Sequence, residues 1–388
     1  MAEPSLVFPA GEFRARLTRL QGEMAHTDLD ALLLTSAADM FYVTGFLTRF
    51  WESPARPWFL LVPADGVPVA VIPSIGAPLM GRTWISDIRT WDAPHPHDDG
   101  VSLLADTIAQ MLPRAARIGV PMGLETQFRM PLADYARVIE RVAPCRFVDG
   151  TAALQRTREI KSDAEIAKIR DICTVAGRAF DKMPEFVAAG RGLDTVFRDF
   201  QVALLNEGAD WVSYVAGGAG PKGYVDVISP ASPAPLTDGD VVMLDTGAVK
   251  DGYFCDFDRN ICVGTPSDAI RRTHAALWQA TETALNTLRP GMRASDAHRI
   301  LTDGLAGQGA TPGGGRMGHG LGITLTEWPS FSPLDRTELR AGMVLTLEPS
   351  ALVDDTHLLV HEENIVLRDD GPHLLSPRAP LDLPTVTP

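Results

Sequence analysis

The chain has 388 residues, a length that suits two domains, with 45% hydrophobic and 22% charged residues, the proportions of a soluble globular protein. Its formal net charge of −14 argues against nucleic acid or an anionic membrane as partner, since both bind basic surface. The four cysteines show no C-x-x-C spacing, and there is neither a basic-then-apolar leader nor an apolar run of membrane length. A reduced, cytoplasmic setting is therefore expected.

Residues 11–26 have helical periodicity. DALLLTS (30–36), WFLLVPA (58–64) and PVAVIPS (68–74) are short apolar runs between polar residues and read as buried strands. GVSLLADTIAQML (100–112) reads as another helix, so the first part is expected to be an α/β layer domain, 1–155. From residue 156 onward the pattern is α+β. Ser162 is a possible N-cap for the helix that starts in SDAEIAKIR, and further helices are expected at LDTVFRDFQVALLNEG, SDAIRRTHAALWQATETALNTL and ASDAHRILTDGLAGQG. Strands are expected at DVVMLDTGAV, GYFCDFDRNICVG, GMVLTLEPSALV and THLLVHEENIVL, with a proline-rich loop at 229–240.

The stretch LDTGAVKDGYFCDFDRN (244–260) places two strand-like runs around a turn at Lys250-Asp251-Gly252. A turn centred on 250–251 sets Asp245 opposite Asp256. A turn centred on 251–252 sets Asp258 opposite Asp245, with Asp256 diagonal. In both registers carboxylates converge on one face, which destabilises a sheet unless something offsets the repulsion. A divalent cation is the simplest candidate, and solvated hairpin acids are the alternative. Three more residues attract notice: His319 between two glycines that let backbone approach a ligand closely, Glu348 after MVLTL, and Glu362 in LLVHEENIVL, where Glu363 competes for the inward position. Carboxylates in apolar strands are costly unless paired or metal-bound. Four carboxylates and one imidazole form an oxygen-rich set suited to Mn²⁺, Fe²⁺, Co²⁺ or Zn²⁺.

In that order, D-T-G-A-x-x-x-G-Y-x-x-D (245–256), GHGLG (318–322), TLEP (346–349) and EEN-I-V (362–366) resemble the M24 metallopeptidase family of methionine aminopeptidase, aminopeptidase P, prolidase and creatinase. REIKSDAEIAKIR (158–170) resembles the entry helix of its catalytic domain, and the amino-terminal half fits the aminopeptidase P, prolidase and creatinase branch. The resemblance implies a creatinase-like domain over 1–155 and a pita-bread catalytic domain over 156–388, with two divalent metal ions in its cleft. Asp245 would chelate one metal, Asp256 and Glu362 would bridge both, and His319 and Glu348 would bind the other. Glu348 would also shuttle a proton. A metal-bridging hydroxide attacking the scissile amide carbonyl of an Xaa-Pro peptide is the implied chemistry.

The chain departs from the family at four places. Peptidase members carry a second histidine seven residues after the metal histidine, and here that position is Thr326. An upstream histidine is missing from YVDVISPASP (224–233), an arginine near the last ligand is replaced by Val360 and His361, and the usual threonine after the second aspartate is Asp258. A non-peptide member, a small-molecule amidase or dimethylsulfoniopropionate-type lyase, is therefore the runner-up. The lyase branch shares Glu327-Trp328-Pro329 but has an aspartate where this chain has Thr326. A metal-free binding protein on the same fold is the third reading. Thr326 and Trp328 are candidate substrate-handling residues. In the branch it resembles, one subunit's amino-terminal domain reaches over its dimer partner's site, so the loop TRFWESPARPWF (48–59) offers Trp51 and Arg56 as further candidates in a homodimer acting on a small peptide or small polar amide.

Overall fold

Apolar runs bounded by turn residues become the inner strands of the first sheet. The computed structural model describes residues 7–52 and 56–388, and the chain divides between Arg158 and Glu159. The divide falls at the end of helix Thr151–Arg158, a few residues beyond the expected boundary. In the first unit β1 (Ala31–Leu34), β2 (Phe59–Pro63), β3 (Val69–Pro73), β4 (Asp87–Trp91), β5 (Arg117–Val120) and β6 (Arg146–Asp149) form one mixed sheet in the order β4-β3-β2-β1-β5-β6. Helices Ala10–His26 and Val101–Met111 stand where the periodicity places them. Leu33, Phe59, Leu61 and Val71 pack with Leu104 and Ile108 of the second helix to form a core. β4 escapes the sequence reading because DIRTW is an edge strand with only half-buried alternation.

In the loop 48–59, residues 53–55 lie outside the described residues. Phe50–Glu52 make a single 3-10 turn. Trp58 is buried, with its ring 5.2 Å from Phe46 and 5.6 Å from Trp51. The guanidinium of Arg56 lies over Phe50 at 5.6 Å, and Arg129 donates to the carbonyls of both Trp51 and Arg56.

The second unit opens at helix Asp163–Phe180. Its N-cap Ser162 and Glu165 form a reciprocal capping box, which satisfies two backbone donors at the helix start. β7 (Trp211–Gly220), β8 (Val241–Lys250), β9 (Tyr253–Phe254) and β10 (Phe257–Val263) build the first catalytic sheet, joined at its edge by β19 (Thr385–Val386). β11 (Thr311–Pro312), β15 (Ser350–Leu352) and β16 (Leu358–Val360) make a small sheet. β12 (His319–Gly320), β13 (Glu327–Ser330), β14 (Val344–Leu347), β17 (Glu363–Arg368) and β18 (Gly371–Leu374) make another, ordered β13-β12-β14-β17-β18. Helices Asp268–Thr287 and Ala294–Gly307 back these sheets, burying Leu277, Ala284, Leu301 and Leu305. The α+β expectation therefore holds. β7 was not foreseen, because its run YVAGGAG hides any apolar alternation.

The β8–β9–β10 hairpin adopts the second of the two registers, with Lys250 paired to Tyr253 and Asp245 to Asp258. Asp251 (φ 52°) and Gly252 (φ 81°) both take left-handed backbone, the geometry of a two-residue hairpin turn whose twist matches its strands.

Candidate metal centre

Strands of two sheets and the residues beside them bring five side chains together. Asp245 comes from β8, Asp256 from the residue before β10, His319 from β12, Glu348 from the residue after β14 and Glu362 from the residue before β17. Donor atoms of Asp256, His319 and Glu362 all lie within 4.8 Å of one another. His319 Nε2 stands 3.2 Å from Asp256 Oδ2 and 3.3 Å from Glu348 Oε2. Its Nδ1 lies 2.7 Å from the Gly320 carbonyl, which fixes the ring with Nε2 toward the carboxylates. The flanking glycines are required by the chain's own packing. A Cβ at Gly318 would sit 2.3 Å from the Thr346 carbonyl, and one at Gly320 would sit 2.1 Å from that of Trp328.

Asp256 is held from behind by Asn364. The Asn364 Oδ1 accepts from the Asp256 amide at 3.0 Å, and its Nδ2 donates to the Asp256 carbonyl. Glu362 and Glu363 are both buried, on different errands. Glu363 is matched by Arg259, Arg378, Ser376 and the Ala379 amide, whereas Glu362 joins the acidic cluster. His361 packs away from that cluster, with Nε2 2.8 Å from Arg378 Nη1.

One resident of the site was not anticipated. Tyr214 Oη stands 2.9 Å from Asp245 Oδ2 and 2.7 Å from Asp256 Oδ1. A bulge between Val212 and Val215 in β7 supplies the extra residue that aims it inward. The ring lies against Gly247, where any Cβ would come within 2.6 Å of Tyr214 and of Leu325. The glycine of the DTG sequence is therefore the trace that the tyrosine leaves in the sequence.

The electrostatics favour a cation. Burial, then Asp256 and Asp258, drives the Asp245 carboxyl well above its usual range. Burial followed by Asp256 and Glu348 does the same to Glu362. Burial lifts Asp258 to about 8 against the pull of Arg259. Burial alone would lower His319, but Glu348 and Asp256 outweigh it and hold the imidazole up at about 10. Buried Asp245 Oδ1, Asp258 Oδ1 and Glu362 Oε1 have no hydrogen-bond partner among the described residues. A phenol has one proton, so Tyr214 cannot donate to both aspartates at once. Divalent ions would satisfy these orphaned oxygens and the crowded charge together, so the residues fit such a group.

The cavity beside the cluster holds about 490 Å³. Asp245, Asp258, Glu348 and Glu362 form its acidic wall, and Val227, Ile228, Leu325 and Val360 its apolar one.

The family description Metallopeptidase family M24 matches residues 167–369, just over half of the chain, and Creatinase/Prolidase N-terminal domain matches 16–160. The chain belongs to metallopeptidase family M24. A probable dipeptidase, PepE, of Mycobacterium tuberculosis is 27% identical over 366 residues, covering 94% of each chain. An Xaa-Pro dipeptidase of Pyrococcus horikoshii is 29% identical over 357 residues, covering 90% of this chain and 93% of that one. The crystal structure of dipeptidase PepE from Mycobacterium ulcerans superposes with a TM-score of 0.84 at 26% identity, covering 98% and 99%. The second unit is thus the pita-bread fold of the M24 family, and the protein is a metal-dependent hydrolase.

Within this M24 site, Thr326 is half-buried, and its Oγ1 lies 3.4 Å from an Arg316 nitrogen. Trp328 does not line the cavity, and its Nε1 donates to Thr337 Oγ1 at 2.9 Å. Trp51 and Arg56 belong to the first unit, with the loop contacts given above. Among the described residues, no helix is long and apolar enough to cross a membrane.

Proposed function

We propose that this M24 protein is a dinuclear metal-dependent hydrolase that cleaves the Xaa-Pro bond of small peptides. The observation that carries the reading is the convergence of Asp245, Asp256, His319, Glu348 and Glu362 around orphaned carboxylate oxygens beside one cavity. Asp245 would hold one ion, His319 and Glu348 the other, and Asp256 and Glu362 would serve both. Bound there, manganese, cobalt, iron or zinc supplies Lewis-acid polarisation of the scissile carbonyl and a more acidic attacking water.

The chain's own residues do the rest. Glu348 would carry a proton from the attacking water to the leaving nitrogen. Burial would raise its carboxyl, but His319 and Arg316 outweigh burial and hold it low, so it stands ionised and able to accept. Tyr214 braces Asp245 and Asp256. The apolar wall of Val227, Ile228 and Leu325 would receive the substrate's uncharged side chains and exclude water from them. Thr326 would contact substrate beside Arg316, and Trp328 would shape the neighbouring strand. We place the enzyme in the cytoplasm, where its four free cysteines stay reduced, as a homodimer whose Trp51 or Arg56 serves the neighbouring subunit.

A non-peptide substrate, a small amide or a sulfonium compound, is favoured by one observation. Thr326 and Val360 put a hydroxyl and an isopropyl group where the peptidase pattern has histidine and arginine. Purified protein loaded with Mn²⁺, Co²⁺ or Zn²⁺ and offered Xaa-Pro peptides, small amides and sulfonium compounds separates the readings. Protein that retains no divalent ion after loading would end the hydrolase reading.

A further inference from the structure

His319 and Glu327 stand on the two arms of one hairpin, β12 and β13, with His319 paired to Ser330 and Gly320 to Glu327. Residues 321–326 form the loop between them, and they close around the Glu327 carboxylate. Its Oε1 accepts from the amides of Ile323 and Thr324 at 3.0 and 3.2 Å. Gly322 leaves the room this needs, since a Cβ there would lie 2.8 Å from each carboxylate oxygen. The Thr324 hydroxyl donates to the Thr326 carbonyl at 3.0 Å, and the Gly322 carbonyl accepts from the Phe254 amide at 2.9 Å. The last of these bonds ties the loop to β9.

The other oxygen, Oε2, meets Lys161 Nζ at 2.9 Å, and the two side chains are 2% and 5% exposed. Lys161 lies just ahead of helix Asp163–Phe180, and its own amide donates to the Gly342 carbonyl. Burying two charges is costly, and a well-packed apolar pair in their place is often as stable. The pair therefore needs a reason beyond stability, and the loop supplies one. Hydrogen bonds to a charged carboxylate are stronger than neutral ones, so an ion pair buried here holds the loop backbone more firmly than an uncharged group would.

Leu325, two residues before the carboxylate, is half-buried and belongs to the apolar wall of the cavity beside the metal cluster. It is seated against β8 too, since a Cβ on Gly247 would come within 2.6 Å of its side chain. We propose that Leu325 sets which substrate side chain the apolar wall accepts, and that Lys161 and Glu327 are positioning residues that hold it in place. The proposal rests on the peptidase reading above. None of the five residues assigned to the metal ions belongs to the loop 321–326, so loosening the loop should blur the fit of the substrate and leave metal binding intact.

The test measures kcat and KM for Ala-Pro and Leu-Pro on Mn²⁺-loaded wild type, Leu325→Ala and the double variant Lys161→Met, Glu327→Gln. Metal content and amide hydrogen exchange over 321–327 are followed in each. Wild type is expected to prefer Leu-Pro by about tenfold, the discrimination of a fitted apolar contact. Leu325→Ala should bring that ratio close to one, through KM, with exchange as in wild type. The double variant leaves neither charge buried alone. It should keep its metal and its kcat on Ala-Pro, lose most of the preference, and exchange the Ile323 and Thr324 amides about tenfold faster. Glu327→Gln alone, which keeps an oxygen for the two amides, should fall between wild type and the double variant, and it carries the comparison if the double variant does not fold. An unchanged ratio in Leu325→Ala would overturn the specificity role. Equal losses on both peptides, or unchanged exchange, in the Glu327 variants would overturn the positioning role. Each of these leaves the peptidase standing, whereas a wild type that cleaves neither peptide would overturn the peptidase reading and the proposal with it.

Discussion

Replacing Glu362 by glutamine should stabilise the metal-free protein and weaken the metal-loaded one. Glu362 is 4% exposed, one of its oxygens has no partner among the described residues, and a donor oxygen lies within 4.8 Å of one from Asp256. Two ionised carboxylates at that separation repel by roughly 3 kcal/mol at an effective dielectric constant of about 20. The fold escapes part of this by keeping a proton on Glu362, whose pKa is pushed well above its ordinary 4.5 by burial and then by Asp256 and Glu348. Above pH 4.5 the unfolded chain releases that proton while the folded chain retains it. Stability therefore falls as pH rises from there, by up to about 1.4 kcal/mol per pH unit, until the folded group also ionises. Glutamine mimics the protonated form and carries no such dependence. The advantage of Glu362→Gln in EDTA should thus grow as pH rises above 4.5 and level off where the folded Glu362 ionises. At roughly 2–4 °C per kcal/mol for a unit of this size, Tm should rise by several degrees. Divalent metal should reverse the order. Wild type gains about 4 kcal/mol at a thousandfold excess of ion over Kd, and the variant gains much less. Scanning calorimetry in EDTA and in Mn²⁺ reads both effects. A variant less stable than wild type in EDTA at every pH, or a wild type whose Tm ignores divalent ions, would refute the reasoning.

Three other substitutions probe the neighbourhood. Thr326→His should keep or raise Xaa-Pro kcat/KM in a peptidase, whereas in an enzyme built for another substrate the bulkier ring should abolish the native activity. Tyr214→Phe removes the hydroxyl shared by Asp245 and Asp256, and it should weaken metal binding about tenfold and lower kcat more than it raises KM. Competition with a chelator reads the first effect and steady-state kinetics the second. Arg56→Ala should raise KM without changing metal content if the homodimer shares its sites, and a fully active monomer by light scattering would count against that arrangement.

The donor residues were legible because chemistry restricts them. A buried carboxylate needs a reason, and four of them in strand-like runs with one histidine point to a shared cation. Register was not legible, since both turns at Lys250-Asp251-Gly252 fit the sequence. The left-handed backbone at Asp251 and Gly252 decided it, and asparagine or aspartate before glycine is the signal that favours it. Tyr214 was missed because a bulge, which no periodicity reports, turns it inward. Glu362 and Glu363 were treated as rivals for one inward position, yet both are buried, because β17 begins only at Glu363 and the residue before it is free of the strand's alternation. Arg316 left no mark in the apolar pattern, because its contacts with Glu348 and Thr326 are made across the fold.

The contact between Gly247 and Tyr214 also links two positions historically. A methyl group at 247 would press on the phenol ring and on Leu325, so a side chain there forces both to move. A lineage that loses the tyrosine and repacks Leu325, by contrast, is released from the glycine. Among descendants of a common ancestor, a side chain at the position of Gly247 should therefore mark enzymes that have already given up the phenol and now brace their aspartates by other means.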